Sequence, residues 1–107
     1  MKAERILALR CALLIAYSEA LKLKDVYDGG TCNFDTPTLK LTSEWKEADV
    51  NEAFKLTGLR PYKVDKDYYH ILGACEGQGD RRTAMAEAFR DCLRNLGYTA
   101  HVYYQMD

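Results

Sequence analysis

The sequence predicts an α+β fold, a two-layer sandwich in which about three helices cover one face of a mainly antiparallel four-stranded sheet. Two observations carry that expectation. Apolar residues recur at helical spacing in a long segment near the start and in another near the end. Short stretches between and after them alternate apolar with polar side chains. The elements follow in the order helix, strand, helix, strand, strand, helix, strand. With no internal repeat, low-complexity segment or linker, residues 1–107 read as a single domain.

The first helix is predicted over residues 3–24, where Ile6, Leu9, Leu13, Leu14, Tyr17, Ala20 and Leu21 share one stripe. Arg10 falls inside that stripe. It must snorkel to the rim, pair with an internal acid or meet a ligand, because an unpaired buried charge is costly. The reverse face carries Ala8, Ala12 and Ile15, an apolar back that suggests contact with a second chain and hence a homo-oligomer. Residues 25–36 then lose all periodicity and form a loop of turn formers, Asp28-Gly29-Gly30-Thr31-Cys32-Asn33-Phe34-Asp35, closed by Pro37. Asn33 can donate and accept, Phe34 can stack, and Asp35 can take a ribose hydroxyl. The alternative is a capped structural connection with Phe34 tucked into the core.

A strand is predicted over 38–42 with Leu39 and Leu41 inward. A second helix follows over 43–57, capped by Ser43, anchored by Trp45 and closed at Gly58. Residues 62–64 and 68–73 read as a hairpin turned by Asp65-Lys66-Asp67. The last strand, 99–105, sets Ala100, Val102 and Tyr104 against His101 and Tyr103. Tyr68 and His70 likewise oppose Tyr69 and Ile71. One face of the sheet is therefore aliphatic and the other rich in tyrosine and histidine.

Between the hairpin and the last strand lies Gly77-Gln78-Gly79-Asp80-Arg81-Arg82-Thr83, a glycine-flanked turn opening onto a helix predicted over 84–96. Small residues let backbone N–H groups approach a ligand, and the first N–H groups of a helix have no internal partner, so this start suits phosphate or carboxylate. Met85, Phe89, Cys92, Leu93 and Leu96 form the apolar sector of that helix. Arg81 and Arg82 straddle the sector and lean towards the body of the protein, with guanidinium forks that match phosphate oxygens. The alternative makes Asp80 an N-cap and the arginines solvated or salt-bridged.

Composition narrows the function classes. Fifteen basic and 16 acidic residues, a net charge of −1, are mixed along the chain and give no long-range field for nucleic acid. The start of a helix-turn-helix at 47–64 lacks its recognition helix. Cys11, Cys32, Cys75 and Cys92 show no CxxC pair and no histidine at ligand spacing, which reads as free thiols in a reducing cytoplasm and no metal; Asp28 and Asp35 lack calcium-loop spacing. The longest apolar run, 12–16, is too short to span a membrane, and no cofactor motif is present. An enzymatic reading would need Cys32 as nucleophile with His70 or His101 as base, and no motif supports it.

With the two glycine loops, Ala86-Glu87-Ala88-Phe89 and the ending Tyr103-Tyr104-Gln105-Met106-Asp107, the chain resembles small proteins carried by bacteriophages and prophages of gut bacteria. The resemblance implies a role in the cytoplasm of an infected bacterium, where such proteins disarm host defence as nucleotide-signal sponges or anti-CRISPR-like inhibitors. The residues favour the first: a non-enzymatic protein that sequesters a nucleotide or other phosphorylated small molecule. Gly77, Gln78, Gly79, Arg81 and Arg82 would hold phosphate. Asn33, Phe34 and Asp35 would read base or ribose, and Arg10 or the face of Tyr103 would complete the pocket. The alternative partner is a host defence protein, met through the tyrosines.

Overall fold

The computed structural model describes residues 2–26, 29–30 and 32–106. Its elements are α1 (Lys2–Leu21), β1 (Thr36–Lys40), α2 (Glu47–Phe54), β2 (Arg60–Lys63), β3 (Tyr68–Leu72), α3 (Gly79–Asn95) and β4 (Thr99–Tyr103). The predicted α+β class and element order hold. The four strands lie in the order β2-β3-β1-β4, and all pairings are antiparallel.

Strand β1 is central, and its register assigns the two faces. Thr38 stands between His70 of β3 and His101 of β4, while Leu39 stands between Tyr69 and Ala100. Because side chains alternate along a strand, Leu39, Tyr69, Ile71 and Ala100 share one face. They are buried in one cluster with Leu9 and Leu13 of α1, Val50 and Phe54 of α2, and Met85, Phe89 and Leu93 of α3. The helices therefore cover this face alone. The other face presents Thr36, Thr38, Lys40, Tyr62, Tyr68, His70, His101 and Tyr103.

Boundaries differ from expectation at several ends: α1 stops at Leu21 rather than 24, β2 starts at Arg60 rather than 62, β4 stops at Tyr103 rather than 105, and four further ends have an identifiable physical reason. β1 begins at Thr36 rather than 38 and so includes Pro37, which is rare within a sheet. The Leu41 N–H donates towards β3, to Asp67 O at 2.8 Å, so Leu39 and Pro37 face β3 by alternation. The ladder with β3 starts only at Thr38, and the missing proline N–H therefore breaks no bond. α2 starts at Glu47 instead of Ser43, because residues 43–45 form a turn in which the Trp45 N–H donates to Thr42 O. The same helix stops at Phe54: Lys55 is extended (ψ 143°) and exposed Leu56 takes a left-handed φ of 68°. α3 starts at Gly79, five residues before the predicted 84, which places Asp80, Arg81, Arg82 and Thr83 within the helix.

Candidate functional site

The two glycine loops meet. The early start of α3 puts the Asp80 N–H against Gly29 O, 2.7 Å away, so the first loop satisfies a donor that the helix cannot. The Asn33 amide donates to Gly79 O at 3.0 Å and to Thr83 Oγ1 at 3.1 Å, and its own oxygen accepts the Asp35 N–H at 3.1 Å. Arg82 Nε donates to Asp35 O at 2.9 Å, and Arg81 Nε to Val26 O at the same distance.

Asp35 is the hub of this junction. The residue is 5% exposed. Oδ2 accepts the Thr83 hydroxyl at 2.6 Å, and Oδ1 accepts the backbone N–H of Gln105 at 2.9 Å. Phe34 N–H in turn donates to Gln105 O at 2.6 Å, and Asn33 bridges to Met106. The loop, the helix start and the segment after β4 are thus tied at one point. Gly30 closes on Asp80: it has φ +82°, and a Cβ there would lie 2.8 Å from Asp80 Oδ1.

This geometry bears on the predicted anion site. Asn33 and Asp35 spend their polar groups on the chain itself, and the Asp80 carboxylate sits in the first turn, where the helix dipole already favours it. Gly77 and Gln78 are exposed, with Gln78 the N-cap, making no side-chain capping bond. Phe34 is half out in solvent rather than tucked into the core. Arg10 stands apart. Its Nη2 donates to Glu52 O at 2.5 Å and its Nε to Ala53 O at 3.4 Å, so it caps the C-terminal end of α2, with the Glu52 carboxylate 3.8 Å away. The cation is thus taken up by backbone carbonyls at a helix end, with a half-exposed rather than an internal acid beside it. Asp28 and Thr31 lie outside the described residues.

The open face of the sheet holds a shallow, open groove of about 630 Å³, lined by Thr38, Tyr62, Tyr68, His70, His101 and Tyr103, with Val64, Asp65 and Gln105 also along it. Of the predicted binding residues, Tyr103 alone lines it. The rings are held in pairs: His70 and Tyr103 centroids lie 5.1 Å apart and tilted, Tyr68 and His101 6.3 Å apart. Lys40 Nζ lies 5.7 Å from the Tyr68 ring centroid. Thr38 Oγ1 is hydrogen-bonded to His70 Nδ1 at 2.8 Å. Strand alternation marked the Tyr/His face in the sequence. What it could not mark was Tyr62 and Thr38 completing a concavity, because that depends on which strands are neighbours.

Burial holds the His70 imidazole below its ordinary pKa. The folded chain thus binds fewer protons than the unfolded one as pH falls through the ordinary histidine range near 6.5, and stability is lost there rather than gained. Melting curves from pH 8 to 5 are expected to show a downward slope in this window that is shallower for His70→Asn.

The cysteines are free thiols among the described residues. Burial pushes Cys75 up to about 11 and also raises Cys92, which leaves both poor nucleophiles. Cys32 is exposed and does not line the groove that holds His70 and His101. Among the described residues there is no cluster of three metal-ligating side chains, and no helix is long and apolar enough to cross a membrane. No known protein family, curated protein or solved structure matches the chain.

Proposed function

We propose that the chain is a non-enzymatic binding protein that sequesters a nucleotide-like ligand on the open face of its sheet. The observation that carries this reading is the groove of about 630 Å³ walled by tyrosine and histidine rings, a size within the range of small-molecule sites. Ring faces stack on a nucleobase whatever its identity, and Asp65 and Gln105 supply polar groups at the walls. The glycine-loop junction serves the site indirectly: by pinning Gln105 to Asp35 and Phe34 it fixes the end of β4, from which Tyr103 projects. Arg81 and Arg82 hold that junction together, each through its Nε on a backbone carbonyl. The resemblance to phage and prophage proteins supplies the biological setting, capture of a host defence signal.

Thermal melting against nucleotides, cyclic dinucleotides and cyclic ADP-ribose isomers tests it. A ligand held at a hundred times its dissociation constant is expected to add about 2.7 kcal/mol, a shift of several degrees. The shift should vanish in Tyr68→Ala and Tyr103→Ala. Loss in an Arg81→Ala/Arg82→Ala variant with retention in both tyrosine variants would move the site to the helix start. One observation favours a protein partner as the second reading: Tyr62 and Tyr103 are both largely exposed on the same open face. A flat response to the whole panel would favour it.

A further inference from the structure

The open face of the sheet repeats one arrangement of rings. Tyr68 and His70 lie two residues apart on β3, His101 and Tyr103 two residues apart on β4, and both strands run antiparallel to β1 between them. A step of two residues along a strand is about 6.8 Å. The same step relates the Tyr68 and His101 pair to the His70 and Tyr103 pair, and the two match in tilt, 42° and 41° between ring planes. Each pair holds one tyrosine and one histidine. The first joins the registers of Lys40 and Thr38 on β1, the second those of Thr38 and Thr36. Only the small side chain of Thr38, 6% exposed, lies between them on that strand.

Charge is added at one end of this double platform. Lys40 Nζ lies 5.7 Å from the Tyr68 ring centroid. Arg94 of α3 reaches β4, the edge strand, where its Nε donates to Ala100 O at 2.7 Å and its Nη2 lies 3.5 Å from His101 Nδ1. Among the described residues neither cation is paired with a carboxylate. Proteins that take unpaired nucleotides spread the bases apart and stack them on separate aromatic side chains. The step between the two platforms is about twice the rise of about 3.4 Å between bases stacked in a helix, so a ligand that uses both carries two bases unstacked from one another.

We infer that the groove is built for a dinucleotide, two nucleobases joined through phosphate, with one base on each Tyr/His pair and phosphate charge on the side of Lys40 and Arg94. The inference rests on the nucleotide-binding reading of the groove and narrows it. A mononucleotide occupies one platform and leaves its twin empty, whereas a dinucleotide gains a second stacking contact.

Calorimetric titration of the full chain at low salt with AMP and with diadenylate, linear or cyclic, tests the difference. Stacking of a second base should make diadenylate bind about tenfold or more tighter than AMP. Tyr68→Ala and Tyr103→Ala, one ring from each pair, should each bring diadenylate back to the affinity of AMP with unchanged far-UV circular dichroism. Tyr68→Phe and Tyr103→Phe retain the ring and should retain the affinity. Lys40→Ala should weaken AMP and diadenylate alike and flatten the salt dependence of binding; a salt dependence unmoved by it would overturn the placement of phosphate. AMP as tight as diadenylate would overturn the inference and leave the single-nucleotide reading of the groove standing, while no binding of either would overturn both. An octadeoxyadenylate about a hundredfold tighter than diadenylate would make the ligand a longer single strand and would overturn the inference as well.

Discussion

Asp35→Ala is expected to lower stability by about 3 kcal/mol, and the melting temperature by roughly 12 °C or more for a domain of this size. The carboxylate is buried and accepts two hydrogen bonds, from the Thr83 hydroxyl and the Gln105 N–H. Alanine removes the acceptor and strands both donors, and a hydrogen bond to a charged group is worth about 1.5–3 kcal/mol. Asp35→Asn separates charge from shape. Its amide oxygen still accepts one of the two donors, but its NH₂ group opposes the other, so about half the loss should remain. Guanidinium denaturation of both variants measures the difference. A loss below about 1 kcal/mol for alanine would show that water replaces the carboxylate without penalty and that the junction is not a hub.

Phe89→Ala is expected to cost about 4 kcal/mol, the largest loss from any single truncation in the chain. Phe89 is the largest of the fully buried side chains and lies on α3, which packs against α1, β1 and β4. Removing the ring opens a void that three elements would have to close, and in a close-packed interior they move only partly. A domain of 107 residues has about 5–15 kcal/mol in total. At the lower end of that range the variant unfolds at physiological temperature. Leu96→Ala at the C-cap that follows the same helix, a half-exposed position, should stay within about 1 kcal/mol of wild type. Urea melts of the two side by side would separate cavity formation from loss of helix-forming side chains.

Periodicity made the architecture legible. Stripes in residues 3–24 and 84–96 and alternation at Tyr68-Tyr69-His70-Ile71 and Ala100-His101-Val102-Tyr103 determined the element order and the chemistry of both sheet faces. Misread boundaries share a physical cause, a distant partner overriding a local preference. Ser43 is a good N-cap by type, yet Trp45 is drawn against Arg5, whose guanidinium lies 4.6 Å from the ring centroid, and the chain turns instead of coiling. Gly79 reads as part of a turn because nothing nearby in sequence announces that Gly29 accepts the Asp80 N–H. Exposed Leu56 in a left-handed conformation carries no sequence signal. The same limit applies to the site. The sequence points to Asn33, Asp35, Arg81 and Arg82 as ligand contacts; the loops that carry them converge, and there the Asn33 amide, the Asp35 carboxylate and the two arginine Nε groups bond to the chain itself. Which polar residues are spent internally depends on contacts between positions nearly fifty apart in sequence.

The bond between Asp35 and Gln105 spans seventy residues, and this separation has a kinetic consequence. Central strand β1 cannot be paired on both sides until β4 has been made, and the carboxylate beside it has no backbone partner before then. Closing so long a loop is slow and yields little until other non-local contacts are in place. The hairpin of β2 and β3 and the three helices can form early from nearby sequence, whereas the knot at Asp35 closes last. Its loss should therefore leave the refolding rate nearly unchanged and accelerate unfolding, so that the residue governs how long the folded molecule persists once formed.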